Sequence, residues 1–253
     1  MTANPDRSLP AADRLPAPVA NHLAFMAAHR GSVEITADSL ALEGDEEFFS
    51  WWAPLGEDVP IPAGAKTVRV FPFSGNGWPA RLEQAGFKRA GELSYLRAPA
   101  APDGPELPDG VTLTVVEDEG RAREFALTQA AGFAEPGDTP EQTAWWEEDF
   151  TRNTLRNYAR ADQTFYLLRS EGEGAAVALA LHSHGLAGIY AVATRPTHRG
   201  RRYAGLLLAA ISAEAHERGE QLALQTEVGS TAERLYLRSG FTEDFRTPLY
   251  VRH

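Results

Sequence analysis

The order of apolar periods in this chain predicts an α/β fold, an α+β mixed sheet covered by helices. Three observations carry that expectation. Segments of period two alternate with segments of period 3.6 along residues 111–253. Glycines or capping sequences stand where the helical segments should stop or start. A stretch rich in Pro, Gly and Asp, residues 98–110, cannot sustain helix or sheet and separates this part from the first 97 residues.

Val111–Val116 alternates like a half-buried strand. Arg121–Ala131 has helical spacing. Glu141–Ala159 is a second helix, with Pro140 near its start and Trp145, Trp146, Phe150 and Leu155 as its apolar positions. Phe165–Arg169 and Ala175–His182 read as strands joined by a turn at Glu171-Gly-Glu-Gly174, and Gly188–Thr194 as a further apolar strand. Tyr203–Arg218 is a helix with Leu206, Leu207, Ala210 and Ile211 on one face and Gly219 at its stop. Leu222–Thr226 is a short buried strand. Ser230–Ser239 is a helix opened by the capping-box sequence Ser230-Thr-Ala-Glu233 and ended by Gly240, and Phe245–Val251 is the last strand. This divides the chain into an accessory domain (1–97), a linker (98–110) and a main domain (111–253).

Composition narrows the chemistry. The formal net charge of −11 disfavours general nucleic-acid binding, which depends on neutralising phosphates. It suits a cationic small-molecule partner, although most surface carboxylates only keep a protein soluble. The chain has no cysteine, which excludes disulfides, thiolate metal sites and a cysteine nucleophile and fits a reducing cytoplasm. No membrane-length apolar run and no export-signal pattern are present, so the expectation is a cytoplasmic protein without a membrane partner.

Against this acidic background Val192-Ala-Thr-Arg-Pro-Thr-His-Arg-Gly-Arg-Arg-Tyr-Ala-Gly205 stands out. An apolar strand runs into a turn carrying Arg199, Gly200, Arg201 and Arg202, which opens directly into a helix. The first turn of a helix offers unbonded N–H groups and a positive dipole end, and arginine grips phosphate with paired hydrogen bonds. Taken alone, the turn reads equally well as a solvated basic loop. Further on comes Leu224-Gln-Thr-Glu-Val-Gly-Ser-Thr-Ala-Glu-Arg-Leu-Tyr-Leu-Arg-Ser-Gly-Phe241.

Together these two stretches resemble the GCN5-related N-acetyltransferase (GNAT) family. The family's Arg/Gln-x-x-Gly-x-Gly/Ala loop lies on Arg199–Ala204, and its A-x-x-L-Y-x-x-x-G-F signature on Ala232, Leu235, Tyr236, Gly240 and Phe241. The chain departs from the pattern in three places. Arg202 replaces the loop's second glycine, so that either the backbone avoids positive φ there or the loop is remodelled. Gly229 stands where the family has an Asn, leaving Ser230 to take over the cap. Thr194 replaces a valine.

The resemblance implies an acyl-CoA N-acyltransferase fold that binds acetyl-CoA as cosubstrate, uses no metal, and transfers acetyl to an amine in a ternary complex. It places the pantetheine arm along Val192, Ala193 and Thr194. The pyrophosphate would lie on Gly200, Arg201, Arg202, Tyr203 and Ala204, with Arg199 beside it and Ser230 nearby. Tyr236 matches the position that protonates the leaving thiolate; the plainer alternative is an aromatic packed against the cofactor. No carboxylate lies on Gly188–Thr194, so Glu227 or a water chain is left to take the amine's proton. Trp145, Trp146 and Glu148 fall in the helix that walls the acceptor site in relatives, where they would cradle a cation; one core Trp beside an acidic face is the simpler expectation. His182 and His184 read as a surface turn rather than metal ligands. A non-catalytic acyl-CoA-binding module is the rival reading, and monomer and homodimer both stay open.

The first hundred residues hold a faint copy. Gly86-Phe87 and Gly240-Phe241 lie 154 positions apart, and the same offset lays Val68 on Leu222 and Leu82 on Tyr236. The copy lacks an arginine loop and a tyrosine and reads as a degenerate GNAT-like half that has lost cofactor binding; chance similarity between two ordinary βαβ pieces is the plainer alternative. Upstream, Ala17–Arg30 is an expected helix, Ser32–Ile35, Ser39–Leu42 and Phe48–Pro54 are expected strands, and the run Phe48-Phe-Ser-Trp-Trp52 is expected in a core or interface.

Overall fold

A computed structural model of the chain describes residues 15–252. In chain order the elements are α1 (Ala17–His29), β1 (Gly31–Ile35), β2 (Ser39–Gly44), β3 (Trp51–Pro54), β4 (Thr67–Arg69), α2 (Trp78–Gln84), β5 (Lys88–Ala98), β6 (Val111–Val115), α3 (Glu119–Phe133), α4 (Pro140–Asn157), β7 (Gln163–Ser170), β8 (Glu173–Ser183), β9 (Leu186–Thr194), α5 (Tyr203–Glu217), β10 (Gln221–Glu227), α6 (Thr231–Arg238) and β11 (Thr242–Val251). The fold is mixed α/β, as the sequence predicts. Two compact units form: unit 1 is Met1–Ala98 with Leu224–His253, and unit 2 is Pro99–Ala223.

Unit 2 orders its strands β6-β7-β8-β9, all antiparallel, with the start of β10 parallel to β9. The β7–β8 hairpin turns on Glu171 and Gly172 and the β8–β9 hairpin on His184 and Gly185. Each pair has two consecutive positive φ angles, which two-residue loops need to match the strand twist. β8 is buried continuously from Gly174 to His182, because α3 and α5 both pack on it. The buried face of α5 centres on Leu207, Leu208, Ile211 and Ala215. Among the described residues no helix is long and apolar enough to cross a membrane.

Unit 1 orders its strands β1-β2-β3-β4-β11-β5. The meander β1-β2-β3 is antiparallel, and β3 meets β4 in parallel at the pair Trp52↔Val68. β11 lies antiparallel to β4 on one side and to β5 on the other. These two ladders explain why residues from 224 onward group with the N-terminal part. The compact division therefore differs from the sequence division into 1–97 and 111–253. One core of unit 1 gathers Val19, Leu23, Leu40, Trp51, Phe71 and Tyr95, and another gathers Val68, Trp78, Leu82, Phe87 and Tyr250.

The expected strand at Phe48–Pro54 begins only at Trp51. Glu47–Phe49 is a single 3₁₀ turn whose return is fixed by the Gly44 N–H donating to Ser50 Oγ at 3.0 Å. The aromatic run is accordingly split, with Trp51 buried and Phe48 62% exposed.

The two Gly-Phe pairs make the same hydrogen bonds. Phe87 N–H donates to the Leu82 carbonyl at 2.9 Å, and Phe241 N–H to the Tyr236 carbonyl at 3.1 Å. Gly86 N–H donates to Glu83 O and Gly240 N–H to Leu237 O, and both glycines have positive φ. Each pair keeps the sequence offset. Both helices, α2 and α6, stop by the same device: a left-handed glycine reverses the chain, and the following Phe closes the end.

Candidate functional site

β9 carries a bulge. Tyr190 pairs with Leu179 and Ala193 with Val177, so Ala191 and Val192 together face the single residue Ala178. Ala191 has φ 54°, a left-handed conformation that a residue with a Cβ adopts at a cost. A bulge of this kind takes one residue out of the ladder and re-aims the main chain beside it. On the opposite edge, the parallel ladder to β10 has three rungs and ends at Ala223↔Gly188. The expected pantetheine segment, Val192 to Thr194, thus begins within an interruption in regular pairing.

After β9 a 3₁₀ turn, Pro196–His198, leads to the arginine loop. Gly200 has φ 79° and Arg202, the N-cap residue of α5, has φ 63° and ψ 18°. The sequence left two options for Arg202, and the structure takes neither, since an arginine occupies the left-handed conformation that a glycine would have. No side chain caps α5, and its first backbone bond is Leu206 N–H to Arg202 O at 3.2 Å. The N–H groups of Tyr203, Ala204 and Gly205 precede that bond and have no intrahelical acceptor. Replacing Arg202 with Gly should relieve strain and raise stability by about 1 kcal/mol, read as a higher thermal midpoint. A lower midpoint would show that the loop is held by the arginine itself.

The loop arginines have different jobs. Arg199 is tied down: Nη2 donates to the Gly132 carbonyl at 2.9 Å and Nε to the Thr194 carbonyl at 3.3 Å, joining the last turn of α3 to the end of β9. Arg201 and Arg202 are exposed and, among the described residues, make no ion pair and no side-chain hydrogen bond. Elsewhere arginines such as Arg123, Arg160 and Arg246 are matched with carboxylates. Two adjacent unmatched cations thus stand beside open N–H groups, an arrangement that could hold an anion.

Residues 167–250 match the family model described as FR47-like protein. No curated protein matches the chain. Among solved structures, a GCN5-related N-acetyltransferase from Kribbella flavida superposes with TM-score 0.63 at 18% identity, covering 93% of this chain and 95% of that one. A GCN5-related N-acetyltransferase from Sphaerobacter thermophilus aligns with TM-score 0.53 at 24% identity, over 76% of this chain and 61% of that one. A tandem GNAT protein from the clavulanic acid biosynthesis pathway aligns with TM-score 0.57 at 12% identity, over 96% and 89%. The chain has the GNAT acyltransferase fold.

Within this fold Glu227, Ser230 and Tyr236 belong to unit 1, whereas residues 192–204 and α4 belong to unit 2. Ser230 is the N-cap of α6, its Oγ accepting from Glu233 N–H at 3.0 Å. The reciprocal half of the expected capping box is shifted by one residue. The Glu233 carboxylate accepts from Gly229 N–H at 2.6 Å rather than from Ser230, and also from Ser94 Oγ at 2.5 Å. Hydrogen bonding by Ser94, then by Gly229, holds Glu233 below the usual carboxylate range. Tyr236 is buried, packs edge-on against Phe241, and makes no side-chain hydrogen bond among the described residues. Burial pushes its phenol up to about 12, so it keeps its proton at neutral pH. Glu227 is exposed at the end of β10.

On α4, Trp146 stacks on Phe150 and packs against the core formed with Ala126 and Ala130, while Trp145 meets Trp146 edge-on. Glu148 is an exposed carboxylate 3.9 Å from Arg152. The buried carboxylate of this helix is Asp149, which accepts from Arg152 at 2.9 Å and from Asn153 at 3.0 Å.

One buried cluster was not foreseen. The expected surface pair His182 and His184 separates, with His184 in the exposed turn and His182 buried. His182 Nδ1 lies 2.7 Å from Glu220 Oε2 and Nε2 lies 3.3 Å from Glu214 Oε1. Glu214 also accepts from Thr164 at 3.1 Å, from the Tyr166 hydroxyl, and from Arg218. Burial lowers the His182 pKa, but the hydrogen bonds and charges of Glu214 and Glu220 outweigh it, and the net shift is upward. Burial raises Glu214, but bonds from His182 and Tyr166, the histidine's charge and Thr164 bring it to about 2. The cluster ties α5, whose first turn follows the arginine loop, to β7 and β8.

Proposed function

We propose that this protein is an N-acetyltransferase that binds acetyl-CoA and passes the acetyl group to an amine, small and cationic in keeping with the acidic chain. The observation that carries the reading is the anion cradle at the start of α5, with open N–H groups flanked by the unmatched Arg201 and Arg202. In this reading those groups hold the cosubstrate's pyrophosphate. The bulge in β9 supports a main-chain N–H near Val192–Ala193 that receives the oxyanion as the amine attacks, a fixed dipole that needs no reorganisation. Tyr236 retains the proton that the leaving thiolate requires. Glu227, open to solvent, or a water chain takes the proton from the amine. Residues Trp145, Trp146 and Glu148 are assigned to the acceptor side, and the protein acts in the cytoplasm.

Calorimetric titration of coenzyme A tests the cradle. Reversing both charges (Arg201→Glu with Arg202→Glu) should weaken binding by about 1–3 kcal/mol, roughly five- to 150-fold in Kd. Unchanged affinity would remove the loop from the cosubstrate site. A second reading, an acyl-CoA-binding module without turnover, is favoured by the absence of a carboxylate on β9. Thiol release from acetyl-CoA with a panel of amines separates the two.

A further inference from the structure

Arg69 on β4 carries a positive charge that unit 1 leaves unmatched. Its side chain is 8% exposed and lies over the Trp51 ring, Cζ 5.6 Å from the centroid. Nη1 donates to Thr247 Oγ1 at 3.1 Å and to the Thr247 carbonyl at 3.4 Å. Nε is fully buried and has no acceptor. Nη2 has no acceptor among the described residues either, yet it is not sealed from solvent. Burial is the main influence on this guanidinium, with only the Tyr95 phenol acting on it electrostatically and no carboxylate.

The surroundings are neutral. The Tyr95 hydroxyl lies 2.8 Å from His22 Nδ1 on α1. Burial holds the Tyr95 phenol well above its ordinary value. Burial, then the charge of Arg69, pulls His22 down to about 3. Neither group supplies a negative charge at neutral pH. Taking a guanidinium out of water without an anion costs several kcal/mol. The buried carboxylates are answered, Asp149 by Arg152 and Asn153 and Glu233 by Ser94 and Gly229. The chain has 35 Asp and Glu residues, and no described one is brought to Arg69.

We propose that unit 1 binds a small carboxylate on the Nε/Nη2 edge of Arg69. Thr247 occupies Nη1, which leaves the Nε/Nη2 edge without a protein acceptor; a planar carboxylate entering from the solvent side at Nη2 would complete a side-on, two-bond contact by reaching the buried Nε. One uncompensated charge in neutral surroundings calls for a monoanion. The Trp51 ring beside the guanidinium favours a flat or apolar body. The proposal is independent of the acetyl-CoA reading, since every residue it uses is in unit 1.

The test uses the full chain in a carboxylate-free buffer at constant ionic strength. Acetate and benzoate are titrated against chloride and inorganic phosphate, with thermal midpoint and calorimetry as readouts. In wild type each carboxylate should raise the midpoint saturably, benzoate more than acetate, and chloride should not. Arg69→Met should lose this response while its ligand-free midpoint stays level or rises, since an unmatched buried charge has gone. Arg69→Lys, which keeps the charge but lacks the fork, should bind at least tenfold more weakly. No carboxylate response in wild type, a saturable response in Arg69→Met, or tighter binding of phosphate than of either carboxylate overturns the proposal. Should Arg69→Met fail to fold, full affinity in Arg69→Lys overturns it equally.

Discussion

Gly132→Ala should destabilise the protein, and Gly132→Leu should destabilise it more, by about 2–3 kcal/mol in denaturant unfolding. Helix propensity alone predicts the opposite sign, because Gly132 lies in α3 and replacing a helical glycine with alanine gains about 1 kcal/mol. Packing decides against propensity here. A Cβ on Gly132 would meet the Ala193 Cβ at 2.8 Å and the Thr194 main-chain nitrogen at 3.0 Å. Neither can swing away, since one is a methyl stub and the other is backbone. The helix must therefore back off from β9, and the Gly132 carbonyl that anchors Arg199 moves with it. Affinity for coenzyme A should fall together with stability. A more stable Gly132→Ala would mean that α3 does not press on β9 at all.

Glu214→Gln should cost about 2–3 kcal/mol at neutral pH and change the shape of the stability-versus-pH curve. The carboxylate accepts from Tyr166, Thr164, His182 and Arg218 at once, and an amide replaces one of its oxygens with a donor. The signs follow from the two shifts. Glu214 is lowered on folding, so its contribution is present above about 4.5 and is lost as pH falls toward about 2. His182 is raised on folding, so its contribution is complete below 6.5 and is lost as pH climbs through its folded value. Wild type should be most stable between these limits. In Glu214→Gln the acid limb should flatten, and the alkaline decline should begin closer to 6.5 because one of the histidine's two carboxylates is gone. Urea midpoints from pH 2 to pH 9 would show both changes, and a variant curve parallel to that of wild type would rule out this account of the cluster.

Much of this architecture is legible in the residues. The helix at Tyr203–Glu217, the α6 cap at Ser230 and the paired Gly-Phe stops announce themselves because spacing, caps and left-handed glycines are local properties. The basic turn at the start of α5 is legible for the same reason, since the strand, the turn and the helix are contiguous. The parts that escaped depend on distant partners. Nothing near Arg199 signals that its guanidinium reaches Gly132, 67 positions earlier. His182 looks like a turn residue until Glu214 and Glu220 arrive from the far end of α5. The bulge at Ala191 is invisible because its positive φ falls on an alanine, and Arg202 misleads in the same way. Arg69 reads as one polar residue in an alternating strand, and only the assembled unit shows that no described carboxylate answers it.

The position of β11 has a consequence for biogenesis. Thr242 meets Arg97 across 145 positions of chain, so β4 and β5 emerge from the ribosome long before the strand that fits between them. Until then both present open edges capable of wrong pairing. Residues 99–223 are contiguous and can condense as they are made, leaving the first-synthesised segment to finish last. A nascent chain stalled before Thr242 should therefore protect its middle from protease and leave its N-terminal hundred residues open to cleavage.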